Sequence, residues 1–521
     1  MAVSTFAAIN VGSFELELGI YEITSKGVIR QVDRVRHVIA LGRETYQNGK
    51  ISYAMVEELC QVLGDFSKIM KSYRVQDYRA YATSAMREAK NSRIVIDQIR
   101  VRTGIRVRVI SNSEQRFLSY KAIAARDEEF DKNIQNGTAI VDVGFGSMQI
   151  SMFDKNLLVS TQNLPLGVLR IRGLLETVQT TVEKNRGLIG EMVDNELHNY
   201  KKMHLKDREI RHVIGIGEII LYLFRYENNG KAMDRVSREE FNAFYEKISR
   251  MSEAEIEEYF GVNSEYAALL MPGAIIYKKI MELSGAEVLW IPGIRLCDGI
   301  AAEYAVDNRL IRLRHNFDND IITTSRNMAK RYRCQGVHAE AVEQYALNMF
   351  DVMKKYHGMG ARERLLLQIA VIIHACGKFI SVRNSNECAY NIIMSTEIIG
   401  ISHLEREIIA NVVRYNIRDF EYNMVRMEAE ADSAYGTAES SDHVTILIAK
   451  LTAILRLANS MDRGHQQKFK DCRMTVKNGK LVISTDYSGD ITLESVSFEQ
   501  KAAFFEEIFG VRPVLKQKRS I

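Results

Sequence analysis

At 521 residues the chain exceeds what one hydrophobic core supports, and about three or four domains are expected from length alone. Lys and Arg number 70 against 66 Asp and Glu, a net charge of +4 that gives no basis for a nucleic-acid partner. The six cysteines lack disulfide-framework spacing, no apolar run reaches the roughly 18 residues of a membrane helix, and Met1-Ala2-Val3-Ser4-Thr5-Phe6 leads straight into an apolar strand; a cytoplasmic protein without membrane contact is expected.

The first predicted element is a strand through Ala7-Ala8-Ile9-Asn10-Val11, turned at Gly12-Ser13-Phe14 into an alternating strand, Leu16 to Ile20. Ser52 to Tyr73 carries Met55, Leu59, Val62, Leu63, Phe66, Ile69 and Met70 at helical spacing and reads as an amphipathic helix. Strands follow at Tyr78–Thr83 and Arg106–Ile110, with a helix over Glu88 to Val101 between them. Past a polar boundary at Glu128 to Asn136 the opening theme returns as Ala139-Ile140-Val141-Asp142-Val143-Gly144-Phe145-Gly146-Ser147, leaving on Met148 to Met152. Asn10 stands against Asp142 and Gly12 against Gly144. Such strand–glycine–strand corners bring backbone N–H groups close to an anion, so two of them imply a duplicated α/β core closing on phosphate. One copy carries a carboxylate and the other its neutral isostere. Further strands are expected at His212–Gly215 and Glu287–Ile291.

After about Val306 the pattern becomes helical, with amphipathic tracts at His338–Tyr356, Arg362–Cys376, Ser402–Tyr415 and Val444–Met461. Met424 to His443 is poor in bulky residues and is expected to form a mobile loop. Met474 to Ile483 is a hairpin around Asn478-Gly479, the pair that favours a type I′ turn. The terminal Lys516-Gln517-Lys518-Arg519 reads as a solvated basic tail. The expected domains are 1–127, 128–308, 309–465 and 466–521.

Three further segments make the repeat specific: Thr83-Ser84-Ala85-Met86-Arg87-Glu88-Ala89-Lys90-Asn91, Leu164-Pro165-Leu166-Gly167-Val168-Leu169-Arg170, and Gly215-Ile216-Gly217. In this order they resemble the Ppx/GppA family of exopolyphosphatases and guanosine pentaphosphate phosphohydrolases. The resemblance implies an actin-like, ribonuclease H-like two-domain core, followed by an all-helical HD-like domain and a small α+β cap. It also implies polyphosphate or a guanosine polyphosphate such as pppGpp as ligand, Mg²⁺ as cofactor and a homodimer as a plausible assembly. By the same resemblance Gly12, Ser13, Gly144, Gly146, Ser147 and Gly217 would contact phosphate, Arg87 would be the phosphate-binding arginine, and Asp142 a metal-side acid. The alternative for Arg87 is a solvent-facing helix start.

The acids depart from the family pattern. Asn10 replaces the first hairpin aspartate, Met148-Gln149 stands where Thr-Glu follows the second hairpin, and Gln115 occupies the position of the family's catalytic base. An amide cannot take a proton from water at neutral pH, and losing a general base typically costs on the order of 10² to 10⁴ in rate. Glu114 is a candidate substitute, although on a helix it points about 100° away from Gln115. Glu15 and Glu218 are acids gained beside the loops, and Phe14 and Phe145 bring aromatic bulk to them, so a reshaped pocket is expected. In the helical module His374-Ala375 stands in place of a His-Asp pair, and Cys388 and Asn416 in place of expected histidines. His374, Cys376 and Cys388 offer a soft-metal alternative without an evident fourth ligand, while His338 and His374 also read as core histidines. Two functions follow: a phosphohydrolase-like protein of much reduced turnover, or a non-catalytic sensor or scaffold for a phosphorylated ligand. A working hydrolase using Glu15, Glu114 or Glu218 is the third.

Overall fold

A computed structural model describes residues 3–24, 27–126, 130–177, 182–205, 208–225, 235–334, 336–422 and 438–517. The chain forms two compact units, Met1–Asp320 and Ile321–Ile521. The first holds two sheets. Strands β1 (Val3–Val11), β2 (Glu15–Thr24), β3 (Ile29–Val38), β4 (Asp77–Ala82) and β5 (Val107–Val109) run in the order β3-β2-β1-β4-β5. Strands β6 (Thr138–Val143), β7 (Met148–Asp154), β8 (Leu157–Leu164), β9 (His212–Ile216), β10 (Arg235–Ser237) and β11 (Val288–Trp290) run β10-β11-β9-β6-β7-β8. In each sheet an antiparallel hairpin, β1–β2 or β6–β7, has a third antiparallel strand on one side and a parallel strand on the other. The second sheet therefore repeats the first, with β10 added at one edge.

The alternation of β2 explains how the first lobe is layered. Leu16, Leu18 and Ile20 enter the core formed with Val56, Leu59, Leu63 and Phe66 of the helix Tyr53–Ser72, which Ser52 caps by accepting from the Met55 N–H. Tyr21 and Ile23 face the other way and pack with Ile300, Ala301 and Tyr304 of the helix Leu296–Asp307. Glu15 and Glu17 lie on that second face, at the end nearest the hairpin turn, and both are buried.

Strands β3 and β8 are not signalled by the sequence. Each is an outer strand in which charged or polar residues interrupt the apolar alternation, as in Ile29-Arg30-Gln31-Val32-Asp33-Arg34. The helix expected over 88–101 runs instead from Ser92 to Thr103, because a short helix Ser84–Glu88 and the turn at Asn91 come first.

The second unit is mainly helical, including Gly336–Val352, Ala361–Ile373, His403–Arg414 and Ala438–Ser460. Positions 424–437 of the expected loop lie outside the described residues, and positions 438–443 already belong to the last of these helices. Strands β12 (Arg473–Lys477), β13 (Lys480–Thr485) and β14 (Arg512–Gln517) close the chain, β13 and β14 being parallel across the helix Thr492–Phe509. Asn478 and Gly479 have φ of 50° and 71°, the left-handed pair a type I′ turn requires. Lys516 and Gln517, read from sequence as tail, end β14, where Gln517 donates to the carbonyls of Tyr487 and Gly489. No described helix is long and apolar enough to cross a membrane.

Candidate functional site

The two hairpin turns meet across a small polar cavity of about 80 Å³. Gly12 and Ser13 line it from the first lobe, and Gly144, Gly146, Ser147 and Gly217 from the second; Asn10, Gln115, Asp142 and Gln149 also reach it. Each turn is closed by one backbone hydrogen bond, Gly12 N–H to the Glu15 carbonyl and Gly144 N–H to the Ser147 carbonyl, both 3.0 Å. Gly217 is fixed by geometry: its φ is +90°, and a Cβ there would lie 2.3 Å from Asp142 Oδ1.

Two residues expected at the site lie elsewhere. Arg87 is absent from the cavity wall and donates to the Ile110 carbonyl, at 2.5 Å, and to Asn112 Oδ1. Glu114 caps its own helix, Asn112–Arg126, by accepting from the Ser111 N–H at 2.9 Å, and it pairs with Arg108 at 2.6 Å. Gln115, one residue on, faces the cavity.

Hydroxyls brace the first turn within its own lobe, and aromatics join the lobes. Tyr46 donates to Ser13 Oγ at 2.9 Å or to Ser84 Oγ at 3.0 Å, these two oxygens are 2.8 Å apart, and the Ala85 N–H donates to Ser13 Oγ at 3.0 Å. Phe14, from the first hairpin, stacks on Phe145 of the second at 4.9 Å and meets Tyr266 edge-on at 4.8 Å, so it is buried in the core of the opposite lobe. The bulk expected from Phe14 and Phe145 thus becomes an inter-lobe contact. Phe14 and Tyr46 also wall a larger, mostly apolar cavity of about 530 Å³.

Acids gather at one end of the polar cavity. Glu15 and Glu218 line it, and Glu17 stands with them: one carboxylate oxygen from each of the three lies within 4.8 Å of the others. Tyr266 donates to Glu15 Oε2. Arg295 Nε sits 2.8 Å from Glu218 Oε1 but off the line of a hydrogen bond, and Arg36 Nη1 is 3.9 Å from Glu15 and 3.8 Å from Glu218. Burial, reinforced by Glu218, pushes Glu15 up to about 7 and Glu17 up to about 8. The same two causes raise Asp142 to about 7, against the opposing charge of Arg116.

Glu17 is the site residue that sequence reasoning missed. Asn10 pairs with Glu17 across β1 and β2, and Asp142 pairs with Gln149 across β6 and β7. The spacing of seven is the same in both hairpins, so aligning their second strands identifies the position. Among the described residues Glu15, Glu17 and Glu218 form the one set of three side chains arranged to share a metal ion; His374, Cys376 and Cys388 do not form such a set. Carboxylate oxygens this close suit a hard divalent cation.

The family model of the Ppx/GppA phosphatase family matches residues 20–302, and that of Ppx/GppA phosphatase domain III matches residues 322–501. A guanosine-5′-triphosphate,3′-diphosphate pyrophosphatase of Photobacterium profundum is 21% identical over 498 residues, covering 92% of this chain and 91% of its own. Exopolyphosphatase 1 of Mycobacterium leprae is 22% identical over 298 residues, 56% of this chain and 87% of its own. An exopolyphosphatase structure from Cytophaga hutchinsonii shares the fold with a TM-score of 0.52 at 18% identity, over 59% of this chain and 98% of that one. A Ppx/GppA family member from Aquifex aeolicus gives 0.50 at 21%, over 59% and 99%.

Proposed function

The chain belongs to the Ppx/GppA phosphatase family, and we propose that it holds the terminal phosphate of polyphosphate or of a guanosine polyphosphate between its hairpins and releases orthophosphate only slowly. The observation that carries this reading is Gln115: an amide faces the cavity beside the hairpin glycines, where the resemblance puts a general base. The N–H group of Gly146 and the hydroxyl of Ser147 suit phosphate oxygens, whereas the N–H groups of Gly12 and Gly144 already close their own turns. Ser13 joins Gly146 and Ser147 only if it exchanges its bond with Tyr46, and Arg87 only if it leaves the Ile110 carbonyl. Asp142, which reaches the cavity, would take part in holding Mg²⁺, and the bound ion would neutralise charge on the phosphoryl oxygens. The low turnover follows from what the acids do. Glu15 accepts from Tyr266, Glu218 is paired with Arg295, and Glu114 is committed to a helix cap.

Phosphate release from long-chain polyphosphate, ATP and pppGpp with Mg²⁺ or Mn²⁺ tests the proposal. A rate at least 10²-fold below that of an active family member is expected. Comparable turnover would overturn it.

A second reading, a non-catalytic sensor or scaffold that signals domain closure to a protein partner, is favoured by the Phe14–Phe145 stack. The stack sits on the turns that a phosphate would engage. Calorimetric binding of the same ligands without turnover, together with altered lobe closure in Phe14→Ala, would support it. The HD-like reading of residues 309–465 is supported by His338, whose Nδ1 lies 2.7 Å from Asp462, and by His374, its ring 5.5 Å away; Ala375 supplies no carboxylate.

A further inference from the structure

We propose that Glu15, Glu17 and Glu218 form a divalent-cation site, completed by the side-chain oxygens of Asn10 and Gln149. Three carboxylates close together do not make a site, since protons and arginines can satisfy them. The second observation concerns partners. Five buried oxygens here have no hydrogen-bond donor: Asn10 Oδ1, Glu15 Oε1, Glu17 Oε1, Gln149 Oε1 and Glu218 Oε2. Buried polar atoms are nearly always paired, and an unpaired set calls for a bound water or ion. All five are acceptors, so what they lack is positive charge or donated hydrogen. Gln149 is only 4% exposed and lines the cavity that Glu15 and Glu218 border.

Charge leads to the same place. Five carboxylates, Glu15, Glu17, Asp142, Glu218 and Asp298, interact here with three guanidiniums, Arg36, Arg116 and Arg295. When all are ionised, two negative charges remain, which one divalent ion neutralises. The donors are carboxylate and amide oxygens, without sulfur or imidazole, and so select Mg²⁺, Mn²⁺ or Ca²⁺ over zinc or copper. The cavity of about 80 Å³ exceeds the roughly 10–15 Å³ that a single water-sized occupant requires, so an ion fits.

The proposal places the ion on second-strand and post-β9 acids, whereas the carried-over metal-side position is Asp142. It does not depend on turnover or on a phosphate ligand. Mn²⁺ binding to the full chain, followed by electron paramagnetic resonance without phosphate, tests it directly. One saturable site is expected, weakened at least tenfold in Glu17→Gln and in Glu218→Gln. Gln keeps the shape of a protonated Glu, and circular dichroism would verify folding. Glu218 borders the cavity with part of its side chain exposed, so its variant serves if Glu17→Gln fails to fold. Absence of saturable Mn²⁺ binding would overturn the proposal. So would binding that survives both substitutions or is lost only in Asp142→Asn. Mn²⁺ binding together with failure to bind polyphosphate would refute the phosphate reading while upholding the cation site.

Discussion

The two hairpins are built on one plan and carry their charge on opposite strands. In the first lobe the amide Asn10 is on β1 and the acid Glu17 on β2; in the second the acid Asp142 is on β6 and the amide Gln149 on β7. Each hairpin keeps one carboxylate in a cross-strand pair. The first strands alone give the impression of an acid lost from one lobe, whereas the pairs show an acid moved across the hairpin. The first lobe then adds Glu15 on the same face. The shift matters because Glu17 interacts with Glu218, Arg295 and Asp298 and is not among the residues that line the cavity.

The comparison is broken most strongly by making the hairpins alike and acidic. The triple variant Asn10→Asp, Gln115→Glu, Gln149→Glu is expected to raise phosphate release by roughly 10² or more, equivalent to about 3 kcal/mol of barrier. No gain would locate the fault in the altered loops around Phe14 and Phe145. Next in size is Gly217→Ala. Its φ of +90° and a Cβ 2.3 Å from Asp142 Oδ1 combine backbone strain with a clash, and a loss of roughly 3 kcal/mol is expected in thermal or denaturant unfolding.

Titration sharpens the comparison further. For chelator-treated protein, Glu17 has a folded pKa of about 8 against an unfolded value near 4.5. Between these the unfolded chain has lost the proton that the folded one retains, so stability falls as pH rises from 4.5 to 8, by on the order of 2 kcal/mol or more. Asp142 contributes in the same direction, its window ending near pH 7. Glu17→Gln should remove the decline between pH 7 and 8, and Asp142→Asn only the part below 7; identical profiles would argue that the two acids do not differ.

The smallest contrast is between the turn glycines. A Cβ on Gly12 would be 2.6 Å from the Glu15 carbonyl oxygen, and one on Gly144 would be 3.1 Å from that of Ser147. Gly12→Ala should therefore cost about 2 kcal/mol and Gly144→Ala less than about 1. The reverse order in denaturant melts would contradict the turn geometry.

Much of this was legible in the chain. The duplicated hairpins, the helix after Ser52 and the Asn478-Gly479 turn follow from apolar alternation and glycine placement, both properties of short segments. Strands β3 and β8 escaped because an outer strand buries too little on either side to enforce alternation. Gln115 lines the cavity while Glu114 pairs with Arg108, a divergence that the roughly 100° of helix rotation between successive residues makes legible in the sequence. Glu17 was passed over because an acid on an alternating strand reads as solvent-facing. Here that face is covered by a helix some 280 residues later in the chain.

The sequence by itself determined the family, the repeat and the identity of every amide that stands where an acid is expected, because these depend on order along the chain. The tertiary structure alone decided which acids share the cavity, that Arg87 and Glu114 are occupied elsewhere, and that Phe14 joins the lobes. The physical reason is that a carboxylate's role depends on its dielectric surroundings and neighbouring charges. Those neighbours, Tyr266, Glu218 and Arg295, lie more than 200 residues from Glu15 and reach it only when both lobes have folded.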